Sequence, residues 1–71
     1  MKVFLLKSKG KGIVPDYIQV RASDHSIIAY FKATNTAKGL DELRIDDAAR
    51  RSAAADIFTS LAFGKMIEAD I

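Results

Sequence analysis

Two six-residue runs, Tyr17-Ile18-Gln19-Val20-Arg21-Ala22 and Ile27-Ile28-Ala29-Tyr30-Phe31-Lys32, flank the turn-forming stretch Ser23-Asp24-His25-Ser26. Period-2 alternation on both sides of a polar turn predicts a β-hairpin over residues 17–32. With a loop of two or four residues, Ala22 falls opposite Ile27, Val20 opposite Ala29 and Ile18 opposite Phe31, so one face is wholly apolar and demands a cover. The other face then carries Tyr17, Gln19, Arg21, Ile28, Tyr30 and Lys32, a surface of aromatic, cationic and hydrogen-bonding groups.

Residues 2–7 predict a first strand whose two faces, Val3/Leu5 and Phe4/Leu6, are both apolar, which suits a central strand or one with its second face covered by a partner. The stretch Ser8-Lys9-Gly10-Lys11-Gly12 predicts a flexible basic loop, closed by Pro15 ahead of the second strand. After Lys32, residues 34–39 lack an apolar period and predict a polar connector. Leu40 and Leu43 then suggest a short helical turn with Asp41 and Glu42 near its amino end. A main helix is expected from an N-cap at Asp46 or Asp47 to about Phe63, with Gly64 as its C′ residue. Its stripe of Ala49, Ala53, Ala54, Ile57, Phe58 and Leu61 is the expected cover for the hairpin, and its alanines permit close approach. In the tail, Ile67, Ala69 and Ile71 alternate with Glu68 and Asp70, predicting a short edge strand. The fold class is therefore α+β: one domain, 1–71, with a three-stranded antiparallel sheet, one main amphipathic helix on one face and a possible fourth strand, in the order β-β-β-α(-β).

That order resembles the three-stranded sheet and helix of integrase amino-terminal and plant-type AP2 DNA-binding domains, which apply the sheet to DNA. The resemblance is one of element order, without a shared residue motif, and it transfers no site.

Charge is distributed unevenly along the chain. Residues 1–38 hold seven cations against two acids, a balance of +5, whereas residues 39–71 hold four cations against seven acids, a balance of −3. A basic sheet half and an acidic helical half steer a polyanion toward one side. A domain of 71 residues buries only about 60% of its unfolded surface, so self-association as a homo-oligomer is expected to add stability. The absence of cysteine removes disulfides, thiolate metal sites and a catalytic thiol, and fits a cytoplasmic protein. The amino-terminal apolar run is too short for a signal core or a span, so no membrane partner is expected.

Catalysis lacks parts. His25 is the single histidine and sits in a turn, where a solvated role is ordinary. No serine occupies a nucleophile elbow, and the acidic pairs Asp41-Glu42, Asp46-Asp47 and Glu68-Asp70 match no metal-loop spacing, so neither cofactor nor metal is expected. Lys7-Ser8-Lys9-Gly10-Lys11-Gly12 is not a P-loop, although its lysines suit sequence-independent phosphate contact. Arg50 and Arg51 point apart on the helix; Arg50 snorkels past the stripe and Arg51 is placed to pair with Asp47. The leading expectation is a non-enzymatic accessory protein that contacts DNA or RNA through Tyr17, Gln19, Arg21, Tyr30 and Lys32, with Lys7, Lys9 and Lys11 adding reach. The alternative is a protein-binding adaptor or inhibitor, of phage or mobile-element type, acting through a homodimer or hetero-interface on the same face.

Overall fold

In the computed structural model, which describes residues 2–71, the chain forms β1 (Lys2–Ser8), β2 (Tyr17–Arg21), β3 (Ile27–Lys32), α1 (Thr36–Glu42), α2 (Ala48–Thr59) and β4 (Ile67–Asp70). The strands make one antiparallel sheet in the order β3-β2-β1-β4. The apolar run of β1 follows from its position between β2 and β4, and the alternating tail is the edge strand. Leu5 lies opposite Val20 and Ile67, Val3 opposite Ala69, Val20 opposite Ala29 and Ile18 opposite Phe31. Val3, Leu5, Ile18, Val20, Ala29 and Phe31 form the buried face, closed by Leu40, Ile45, Ala54, Phe58 and Leu61 from the helical half.

The hairpin register departs from expectation at its tip. His25 donates its amide to the Ala22 carbonyl and Ala22 donates to the Ser26 carbonyl, both at 2.9 Å, while His25 takes a φ of 68°. This closes the loop in the left-handed conformation of a G1-type turn, so Ala22 faces Ser26 rather than Ile27. A bulge between Val20 and Arg21 absorbs the mismatch: Arg21 pairs with Ile27, Val20 with Ala29, and Ile27 and Ile28 are both left exposed.

A second helix, α1, stands where a connector was expected. Asn35 caps it, its Oδ1 accepting the Lys38 amide at 3.3 Å, so Asp41 and Glu42 lie at its carboxyl end rather than its amino end. Arg44 donates to the Asp41 carbonyl and Ile45 to the Leu40 carbonyl, each at 3.0 Å, with Arg44 at φ 57°. These are the paired bonds of a Schellman motif, and Leu40 and Ile45 supply its buried apolar contact. Gly39 is buried against the Phe31 ring, where a Cβ would collide with the ring carbons. Close approach to the sheet is thus provided by this glycine; on α2, Ala54 is buried but Ala49 and Ala53 are exposed.

Asp47 is the N-cap of α2, its Oδ2 accepting the Arg50 amide at 3.0 Å. The helix ends at Thr59, short of the expected Phe63. Thr59 Oγ1 donates to the Ala55 and Asp56 carbonyls and Ser60 Oγ to the Ile57 carbonyl, occupying the last acceptors with side chains. Gly64, at φ 71°, donates to the Lys7 carbonyl at 2.8 Å and directs the chain into β4 instead of capping α2. Arg51 reaches Asp41 at 3.0 Å and the Ile45 carbonyl at 2.8 Å, joining the two helices rather than pairing with Asp47. Among the described residues no helix is long and apolar enough to cross a membrane.

Candidate nucleic-acid interface

The helices cover one face of the sheet, and the register decides what the other face presents. Tyr17 lies opposite Lys32, Gln19 opposite Tyr30 and Leu6, and Arg21 opposite Phe4. Tyr17 and Tyr30 are therefore diagonal neighbours, and their rings stack with centroids 4.6 Å apart and planes 5° from parallel. Arg21 donates to Gln19 Oε1 from Nη2 at 2.9 Å and from Nε at 3.3 Å, and its Nη1 reaches the His25 carbonyl at 3.4 Å. The guanidinium is thereby held on the face beside the aromatic pair. His25 folds back over Phe4, ring centroids 4.9 Å apart. In the same turn Asp24 Oδ1 accepts the Ser26 hydroxyl at 2.7 Å and the Ser26 amide at 3.0 Å, bonds that lower its carboxyl below the ordinary value.

Tyr17, Gln19, Arg21, Tyr30 and Lys32 share this face, as the alternation requires. Lys9 and Lys11 are exposed on the loop that enters β2 beside Tyr17. Lys7, at the same end of the sheet, lies on the other face: it shares the side of β1 that carries the buried Leu5, opposite the buried Ile18, and its Nζ lies 4.7 Å from the centroid of the Phe63 ring. The face has an acidic border that sequence reasoning did not assign to it, because β4 sets Glu68 opposite Phe4 and Asp70 opposite Lys2. The alternation of residues 67–71 was the available signal, but it does not say which strand receives the tail. Glu42 Oε2 accepts the Tyr30 amide at 3.4 Å and guards the outer edge of β3.

The groups on β2 and β3 offer ring surfaces for stacking, hydrogen-bonding side chains and two cations, Arg21 and Lys32. On the helical side, a cavity of about 400 Å³ opens among Arg50, Ala53, Ala54, Ile57, Asp70 and Ile71, away from these groups. Among the described residues no three histidine or acidic side chains converge to hold a metal. No protein-family model matches the chain, and searches of curated proteins and of solved structures find none similar to it.

Proposed function

We propose that the protein binds single-stranded nucleic acid, without catalysis, along the open face of the β2–β3 hairpin. The Tyr17–Tyr30 stack flanked by Arg21 and Lys32 carries this reading: unpaired bases extend an aromatic stack while neighbouring cations meet the phosphates. Glu68 on β4, beside Phe4, repels phosphates, which narrows the footprint toward β2 and β3 and favours a single strand over a duplex. Lys9 and Lys11 extend the track at the Tyr17 end, whereas Lys7 stands outside it.

Fluorescence anisotropy with single-stranded and duplex oligonucleotides over a salt series tests the proposal. Tighter single-strand binding is expected, with a log–log salt slope of about −3 for roughly four neutralised phosphates. The Arg21→Ala/Lys32→Ala variant should lose most of the affinity, and Arg51→Ala, on the helical side, should keep it. Absence of binding to either oligonucleotide at low salt sinks the reading.

A second reading is favoured by Phe4 and Leu6, half-buried on the same face, together with the exposed Ile28 and Tyr30. These suit docking of a second copy or another protein. It predicts a salt-insensitive dimer in sedimentation, dispersed by Tyr30→Ala.

A further inference from the structure

The two ends of the antiparallel sheet differ in kind. At one end meet the last residues of β1, the loop 9–16, the last residues of β3 and the segment 61–66 leading into β4. These stretches place Lys9, Lys11, Lys32 and Lys65 at this end, with Lys7 turned onto the Phe63 ring. Their one carboxylate, Asp16, is turned into the loop, where its Oδ1 accepts the Gly10 amide at 2.7 Å. Arg21, Arg44, Arg50 and Arg51 all lie away from this end.

The same end carries Ile13, Val14, Phe63 and Met66, four of the seven large apolar side chains left exposed among the described residues. Ile13 has 102% of its reference surface in solvent and Val14 has 55%. The loop presents them in a bonded conformation: Val14 donates to the Lys11 carbonyl at 3.0 Å around Gly12, whose φ is 60°. Gly10 packs so tightly that a Cβ would collide with the carbonyls of Val14 and Pro15.

An aliphatic loop tip flanked by Lys9 and Lys11, at a sheet end that also carries Lys32 and Lys65, matches an apolar medium behind an anionic surface. Nucleic acid supplies anions, but its flat bases are met best by arginine and aromatic rings, and the loop has neither. A bilayer supplies headgroups over hydrocarbon, which admits aliphatic side chains while lysine stems snorkel back to the phosphates. We propose that this end of the sheet docks on the surface of an anionic lipid bilayer, with Ile13 and Val14 entering the interface and Lys9, Lys11, Lys32 and Lys65 facing the headgroups. Such docking requires no spanning helix, and it departs from the sequence-based expectation of no membrane partner, which was argued from the shortness of the amino-terminal apolar run. It shares lysines with the nucleic-acid reading but depends on two side chains that reading does not use.

Because the chain has no tryptophan, Ile13→Trp places a single emission probe at a position outside the core. The probe protein is mixed with vesicles of phosphatidylcholine alone or with roughly one-quarter phosphatidylserine. A blue shift and co-sedimentation with the anionic vesicles only are expected. Lys9→Ala/Lys11→Ala should weaken that binding roughly fivefold per lysine. In the otherwise native chain, Ile13→Ser/Val14→Ser should reduce vesicle binding by about tenfold or more, with circular dichroism and oligonucleotide affinity unchanged. Arg21→Ala should do the reverse, losing oligonucleotide and keeping vesicles. Equal partition onto neutral and anionic vesicles, no partition at all, or undiminished binding of the double serine variant overturns the proposal. A spectral shift on oligonucleotide with none on vesicles overturns it in favour of nucleic acid.

Discussion

Arg44 holds a left-handed backbone, φ 57°, at the C′ position of α1, where glycine is the usual residue. A side chain there costs about 1–2 kcal/mol, and Arg44 is exposed with its backbone, not its guanidinium, making the cap. Arg44→Gly is therefore expected to raise stability by about 1 kcal/mol, seen as a higher urea midpoint at unchanged slope. A lower midpoint would show that the arginine side chain contributes more than its backbone costs. His25, at φ 68°, bears the same kind of strain but gains a ring contact with Phe4. Both positions explain why the turns around them were hard to read: without glycine or asparagine, a left-handed residue leaves no mark in the sequence. Gly39 misled in the opposite sense, since a glycine that reads as loop is there to admit the Phe31 ring beneath a helix.

At the scale of elements, cap chemistry was legible to within one residue. Either Asp46 or Asp47 suited the start of α2, and the carboxylate that accepts the Arg50 amide is that of Asp47. Asp47→Ala should lower stability by about 1 kcal/mol and Asp46→Ala by less than about 0.5 kcal/mol, measured by thermal unfolding. Equal losses from the two would contradict the assignment. The far end of α2 was less legible, because the competition of Thr59 and Ser60 hydroxyls for the last carbonyls depends on side-chain rotamers. The hairpin strands were clear from alternation, while the bulge at Arg21 was not, since it follows from how the His25 turn closes.

The whole molecule depends on a small core. A domain of 71 residues is stable by roughly 4–10 kcal/mol, and Phe58, fully buried, meets Phe31 edge-on with centroids 5.2 Å apart at 62°. Removing that ring by Phe58→Ala costs about 3–5 kcal/mol, so the variant should lose much or all of its cooperative thermal transition. A transition within a few degrees of the parent would mean that the helical layer contributes little. Charge is also rearranged at this scale. Lys65, from the acidic half of the sequence, joins the lysine-rich end of the sheet, while Arg21 and Lys2 of the basic half lie toward the other.

By itself the sequence determined the strands, the capped start of α2, the apolar face of the hairpin and the grouping of Tyr17, Gln19, Arg21, Tyr30 and Lys32 on the opposite one. These are consequences of side-chain period and of bonds between near neighbours in the chain. Only the tertiary structure decided that β4 lies beside β1, that Glu68 borders the open face, that Lys7 turns toward Phe63 and that Lys65 is placed at the same end of the sheet as Lys9, Lys11 and Lys32. Each of these depends on which sheet edge receives a distant strand, a choice made by the packing of the whole core and not by any local pattern.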